Sequence, residues 1–291
     1  MNILLNGDCL ELMKTIEDKS VDLIFCDLPY NQTSCKWDQA VIDLDKFWEQ
    51  VMRIKKLNTP IFMTTTTKFG VSLINSAPKK CHFRYDIIWK KSSSCSFLLA
   101  KKMPLRIHEM IYVFYEKLPF YDLSSHTHKF IKSGKSNRKS DSCYGALDTE
   151  SSSKYNPPLP NSVIKEEFND KNIKIELENT IYGDFILDNQ PTNKDGTRNK
   201  YRGELYTPPL PNTMLEIKST RGKHQTEKPV ELMEWIFKYY SKEGDTILDP
   251  TMGSGSTGIA CKNMNRKFIG IEMDKEIFEG AEERIKTHNC E

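Results

Sequence analysis

The chain alternates short apolar runs with longer amphipathic segments. The run "VDLIFCD", residues 21–27, has five apolar residues in seven and ends before Pro29, which predicts a buried strand. Residues 43–57 place Leu44, Phe47, Trp48, Val51, Ile54 and Leu57 on one helical face. Further strands are predicted at residues 2–8, 59–66, 84–91 and 108–117, with a helix at 9–16. This alternation is typical of a mostly parallel sheet flanked by helices.

The last third of the chain repeats the pattern as a strand, a turn, a helix and a strand. Helices are predicted at residues 226–240, 256–264 and 276–286, and strands at 245–250 and 267–274. Between residue 118 and about residue 206 the periodicity is lost, and Ser, Asn, Lys, Gly and Pro dominate. So long an irregular stretch is unusual in a compact domain, so we interpret it as an insertion in a doubly wound α/β fold.

The composition of the chain argues against a membrane protein and against a cysteine metal site. Apolar runs stay far below the roughly 20 residues of a membrane helix, and the N-terminus lacks a basic segment before Asp8, so an intracellular, cytoplasmic protein is expected. The eight cysteines are scattered without a Cys-x-x-Cys pair, and we predict no metal site.

Basic residues cluster in two segments although the net charge is only +2. Such clusters suit a polyanionic partner such as DNA, while ordinary solvated loops explain them equally well. The candidate nucleic-acid-binding residues are Lys90, Lys91, Lys101, Lys102, Arg106, Lys132, Lys135, Arg138 and Lys139.

A glycine turn follows the predicted strand that ends on Asp249. "DPTMGSGST" has no Gly-Lys-Ser/Thr ending, which excludes a phosphate-binding loop, and an acid beside the turn would repel a pyrophosphate. The acid suits a ligand with positive charge. Glu272 ends the next strand, where an acid accepts hydrogen bonds from ribose hydroxyls. S-adenosylmethionine has a ribose, an ammonium and a sulfonium group and would satisfy both acids. The turn by itself could be purely structural.

Six segments resemble, in order along the chain, the beta group of amino-methylating DNA methyltransferases. The matching segments are "NGDCLELM", "DLPY", "KKMPLRIHEMIYVFYEK", "HQTEKP", "DPTMGSGST" and "GIEMD". The resemblance covers roughly residues 1–117 and 212–287. Two positions depart from the family pattern: Leu28 replaces the usual proline, and Ser256 stands where threonine is common.

The resemblance implies that "DLPY", which alone could be a strand ending in a proline turn, is catalytic. Asp27 and the carbonyl of Leu28 would accept the hydrogens of an exocyclic base nitrogen and so localise its lone pair. Pro29 favours an extended backbone at Leu28, and Tyr30 would stack on a base flipped out of the duplex. The cofactor-binding residues implied are Asp8, Cys9, Asp27, His224, Thr226, Lys228, Asp249, Pro250, Gly253, Ser254, Gly255, Thr257 and Glu272.

We therefore expect a circularly permuted methyltransferase fold. Residues 1–117 would form the catalytic half, 118–211 a partly irregular target-recognition insertion, and 212–291 the cofactor-binding half. The predicted reaction transfers methyl from S-adenosylmethionine to the amino nitrogen of adenine in double-stranded DNA and leaves S-adenosylhomocysteine.

Alternatives to this function stay open. They are methylation of the cytosine amino group, an inactive DNA-binding relative, and an RNA or small-molecule methyltransferase. Asp at position 27 favours adenine, because cytosine enzymes of the family often have Ser there. The resemblance further suggests a bacterial or phage-encoded protein, with a homodimer and a cognate restriction nuclease as partners.

Overall fold

The structure is a computed structural model that describes residues 2–30, 42–95, 101–128, 155–156, 162–164 and 227–289. It confirms the predicted α/β class. The chain divides into two compact units: residues 1–87, 110–162 and 221–291 form the first, and residues 88–109 and 163–220 form the second. The three segments expected from the sequence stay a prediction, because most of the expected insertion lies outside the described residues.

Most of the strands in the described residues form one mixed sheet, which is mostly parallel. Their bounds are β1 Asn2–Asn6, β2 Leu23–Cys26, β3 Ile61–Thr65, β4 Phe83–Cys95, β5 Arg106–Phe114, β6 Thr127–His128, β7 Tyr155–Asn156, β8 Val163–Ile164, β9 Thr246–Asp249 and β10 Lys267–Glu272. In the first unit the order is β1, β10, β9, β2, β3, β5, β4. The strands from β1 to β3 pair in parallel, and β5 is antiparallel to β3. The short strands β6 and β7 form a separate antiparallel pair.

The helices have the bounds α1 Cys9–Leu12, α2 Leu44–Ile54, α3 Thr67–Ser76, α4 Val230–Tyr240, α5 Ser256–Asn263 and α6 Lys275–Thr287. Helix α2 begins where the side chain of Asp43 accepts a hydrogen bond from the amide of Lys46, 3.1 Å away. Its buried residues, Phe47, Trp48, Val51 and Ile54, lie on the apolar stripe that the sequence predicts.

Helices cover both faces of the sheet, as a doubly wound fold requires. Successive side chains of a strand point to opposite faces. Ile24 therefore packs with the α2 residues in one core cluster, while Phe25 points to the other face. On that second face, a Cβ at Gly258 of α5 would lie 2.8 Å from the ring of Phe268 in β10 and 2.5 Å from Ile285 of α6. Close contact between α5, α6 and the sheet places the glycine turn directly over the strand ends.

The second unit is described only in part. Within it, β4 pairs in parallel with β8 through Ile88 with Val163 and Trp89 with Ile164. No helix in the described parts of the chain is both long enough and apolar enough to cross a membrane.

Candidate active site

Three predicted acidic residues meet at the carboxyl edge of the parallel strands. Asp27 follows β2, Asp249 ends β9, and Glu272 ends β10. The strand register aligns Ile24 with Leu248, Asp249 with Gly270, and Glu272 with Asn6 of β1. Open α/β sheets bind ligands at this edge. Strand pairing thus brings together residues that are more than 200 positions apart in the sequence.

Asp27 is held by hydroxyl groups and by one ammonium group. The Tyr30 hydroxyl donates to Oδ1 at 2.6 Å, and the Thr64 hydroxyl of β3 donates to the same oxygen. The Lys228 ammonium donates to Oδ2 at 2.6 Å. Burial alone would raise the pKa of Asp27, but the charge of Lys228 and these hydrogen bonds lower it, and the net pKa lies below its ordinary value. The carboxyl group is therefore an anion at neutral pH.

The rest of "DLPY" is held by core packing, by a hydrogen bond to the glycine turn and by an aromatic contact. The Leu28 side chain is 1% exposed and belongs to the apolar core cluster, so the residue that replaces the usual proline has a packing role of its own. The Asp27 amide donates to the Thr251 hydroxyl at 3.2 Å, which ties this segment to the glycine turn. The Tyr30 ring lies 5.4 Å from the ring of Phe69 in α3.

Asp249 anchors the glycine turn. Its Oδ2 accepts a hydrogen bond from the Thr257 hydroxyl at 2.6 Å, and its Oδ1 accepts one from the Thr251 amide at 3.0 Å. The residue is 3% exposed. Burial, with the nearby charges of Asp27 and Glu272, raises the pKa of its carboxyl group to about 7 despite these two hydrogen bonds. Asp249 therefore titrates in the physiological range unless a positive charge lies beside it.

The turn needs glycine at two positions. Gly253 has φ +49° and Gly255 has φ +82°, in the left-handed region that other residues rarely adopt. A Cβ at Gly253 would meet nothing within 4 Å, whereas a Cβ at Gly255 would lie 3.0 Å from Ile285. Pro250 is buried, while Ser254 is partly exposed beside the open space at Gly253.

Glu272 lies against this open space. Its Oε2 accepts a hydrogen bond from the Gly253 amide at 3.0 Å, and its Oε1 accepts one from the Asp274 amide at 2.9 Å. Asp8 caps α1 by accepting from the Leu10 amide at 2.8 Å. Burial, followed by the charges of Asp8 and Glu272, raises the pKa of Cys9 to about 12, so these predicted cofactor residues share one corner of the edge.

A salt bridge joins the entry of α4 to the end of α6. Glu227 accepts hydrogen bonds from the Arg284 guanidinium at 2.5 Å and from the Ser256 hydroxyl at 3.1 Å. Arg284 also donates to the Ser254 carbonyl at 3.1 Å. We call Glu227, Arg284, Ser254 and Ser256 the turn clamp, because they hold the glycine turn and place the neighbouring Lys228.

The family model for DNA methylases that modify N6 or N4 matches residues 21–283. This chain belongs to the N6/N4 DNA methylase family. The family resemblance expected from the six segments is thereby confirmed.

Individual relatives are similar over different lengths. The Type II methyltransferase M.HinfI of Haemophilus influenzae is 26% identical over 98% of this chain and 68% of its own length. M2.DpnII of Streptococcus pneumoniae is 45% identical over 74 residues, which are 25% of this chain and 28% of that enzyme. The chain thus spans less than a third of the length of M2.DpnII and about two thirds of the length of M.HinfI.

Solved structures support the fold. A chain described as M1.HpyAVI in complex with SAM aligns with a TM-score of 0.56 at 19% identity, over 98% of this chain and 99% of that one. PvuII DNA methyltransferase, described as cytosine-N4-specific, aligns with a TM-score of 0.57 at 13% identity, over 99% of this chain and 86% of that one. At these identities the likeness concerns the fold.

The predicted DNA-binding residues of this family member have different surroundings in the second unit. Lys90 is 5% exposed, and Lys91 forms an ion pair with Glu109. Lys101 and Lys102 are exposed, and Arg106 is partly buried. Lys101 and Lys102 therefore offer their charges to solvent, whereas Lys90 does not. Four predicted DNA contacts and two predicted cofactor residues lie outside the described residues: Lys132, Lys135, Arg138, Lys139, His224 and Thr226.

Several site residues were missed by sequence reasoning. Thr64 lies in an apolar strand, and Thr251 lies between two motif positions. Arg284 belongs to an ordinary amphipathic helix. Their partners are far away in the sequence, so neither spacing nor composition marks them. Within the described residues, no group of three or more His, Cys, Asp or Glu is arranged to hold a metal ion.

Proposed function

We propose that this chain methylates the exocyclic amino nitrogen of adenine in double-stranded DNA, with S-adenosylmethionine as the methyl donor. One observation carries the proposal: the Asp27 carboxylate is held as an anion at the strand edge that also presents the glycine turn. An anionic acceptor at this point can polarise an N–H group, and membership of the N6/N4 DNA methylase family supports DNA as the substrate.

The residues at the strand edge fit S-adenosylmethionine. No side chain or backbone atom of the described residues lies within 4 Å of a Cβ built at Gly253. Each oxygen of Glu272 accepts a single backbone hydrogen bond from the described residues, which leaves a further acceptor position for a ribose hydroxyl. Asp249 has a raised pKa of about 7 and gains from a positive charge nearby. We therefore propose that Glu272 holds the ribose and that Asp249 senses the charged end of the cofactor while it anchors the turn.

The cofactor supplies an electrophilic methyl group, and the protein residues prepare the nucleophile. The base nitrogen is weakly nucleophilic because its lone pair is delocalised into the ring. Asp27, and in our proposal the carbonyl of Leu28, accept its two hydrogens and hold the lone pair in line with the methyl group. Bound S-adenosylmethionine would give up its methyl group to this nitrogen: the electrons of the carbon–sulfur bond would remain on sulfur, and one N–H proton would leave to solvent.

Tyr30 is proposed to hold the flipped base. Its hydroxyl is bound to Asp27 and its ring contacts Phe69, so the ring has a defined position beside the carboxylate. A base stacked on this ring would have its amino group near Asp27. The exposed Lys101 and Lys102 are the proposed phosphate contacts among the described residues. A second copy of the chain and a cognate restriction nuclease stay predictions.

Cytosine is the second candidate base. The structural likeness to PvuII DNA methyltransferase, which is described as cytosine-N4-specific, favours it, because the same fold serves that reaction. Asp27 favours adenine.

The deciding experiment incubates the protein with methyl-labelled S-adenosylmethionine and unmethylated genomic DNA, followed by digestion to nucleosides and mass spectrometry. Label in N6-methyladenine supports the proposal. Label in N4-methylcytosine would change the proposed target base to cytosine and leave the proposed site residues unchanged. Parallel reactions with RNA test the other substrate class. Absence of label in DNA and RNA, with wild type and Asp27→Ala behaving alike, would leave an inactive binding protein.

A further inference from the structure

The two oxygens of Asp27 have unequal hydrogen-bonding roles. Among the described residues, Oδ1 accepts from both Tyr30 and Thr64, which uses the two lone pairs of that oxygen. Oδ2 accepts from Lys228 alone within the part of the chain that the structure describes, and the Asp27 side chain is 29% exposed. An incoming amino group therefore finds its free acceptor position on Oδ2, next to the lysine.

The position of Lys228 is set by the residues on either side. Glu227 is held by Arg284 and Ser256, and Pro229 is the N-cap residue that starts α4. Lys228 lies between these two fixed points, with its side chain 11% exposed and its ammonium 2.6 Å from Oδ2. A long, flexible side chain loses conformational entropy when it is held in this way. The hydrogen bond and the charge attraction between Lys228 and Asp27 must offset that loss.

We propose that Lys228 is a positioning residue for Asp27: its ammonium group keeps the carboxylate charged and leaves Oδ2 as the oxygen that receives the substrate amine. This inference rests on the proposed function. It differs from the cofactor contact that the family resemblance implies for Lys228, because the ammonium group is directed at the catalytic carboxylate.

Removal of Lys228 would favour the protonated, uncharged form of Asp27. Among the residues that the structure describes, the titratable groups that face it are Tyr30 from the same segment, Cys26 from β2, Asp249 from β9 and Lys228 from the entry of α4. Of these, Lys228 is the cation. Without it, burial and the neighbouring Asp249 both favour a protonated Asp27, which has no charge to accept the amino hydrogen.

The test is the pH dependence of kcat, at saturating cofactor and DNA, in Lys228→Met, Lys228→Arg and wild type. Lys238→Met is the matched control, because Lys238 is an exposed lysine on α4 with no contact to Asp27. We expect the acid limb of Lys228→Met to move up by about one to three pH units. Lys228→Arg and Lys238→Met should keep the wild-type limb. A uniform fall of kcat in Lys228→Met, with the limb unmoved, would show a merely structural role and overturn the inference.

A second measurement separates this inference from the proposed function. The Asp27 carboxyl is titrated by NMR in the ligand-free protein, with Asp27→Asn to assign its carbon signal. A raised pKa in Lys228→Met supports the inference even if no substrate is methylated. An unchanged pKa in a folded Lys228→Met variant overturns it, whatever the activity.

Discussion

The affinity for S-adenosylmethionine should rise with pH, because Asp249 is buried at the glycine turn with a pKa raised to about 7. If the positively charged cofactor binds only when Asp249 is ionised, the affinity follows the ionised fraction. With that pKa, about one carboxyl group in eleven is ionised at pH ~6, and about three in four at pH ~7.5. The expected gain in affinity over this interval is therefore about eightfold.

Isothermal titration calorimetry measures this effect directly, and Asp249→Asn is the control. The Asn side chain does not titrate, so any remaining pH dependence in that variant belongs to the ligand or to other groups. Comparison with S-adenosylhomocysteine, which keeps the ammonium but lacks the sulfonium charge, shows which cationic group Asp249 senses. Equal affinity of the wild-type protein across the interval would refute the idea that Asp249 responds to a charge on the cofactor.

Three further outcomes follow from the geometry of the site. Asp27→Asn should lower kcat by about 100-fold or more, while leaving the Kd of S-adenosylmethionine within about twofold, because it removes the anionic acceptor and leaves the turn intact; a matching loss of cofactor binding would contradict this. Gly255→Ala should destabilise the protein by about 1–2 kcal/mol in urea unfolding, since its φ is +82° and its Cβ would meet Ile285 at 3.0 Å. Gly280→Ala is the control for that variant: it lies in α6 with nothing within 4 Å of the added Cβ, and should stabilise by about 0.5–1 kcal/mol. Glu227→Gln and Arg284→Met should each weaken cofactor binding, and the double variant should lose little more than either single one, because both break the same turn clamp; additive losses would show that the two residues act separately.

The family and the fold class could be predicted because both depend on local patterns. Period-2 and period-3.6 spacing of apolar residues reflects which face of a strand or helix is buried, and this is visible in a window of a few residues. The segments "DLPY" and "DPTMGSGST" are equally local, since each needs its residues at one strand end. Their order along the chain was enough to predict family membership, which the match over residues 21–283 confirms.

The partners inside the site could not be predicted in this way. The sequence by itself determined that Asp27, Asp249 and Glu272 each end a strand, and that a glycine turn follows Asp249. Only the tertiary structure decided that Lys228 meets Asp27 across 201 positions and that Arg284 closes the turn clamp. Such contacts arise from strand order and helix packing, which bring remote side chains within hydrogen-bonding distance. No local sequence pattern encodes the distance between Lys228 and Asp27, although the contact between these residues favours the charged form of Asp27.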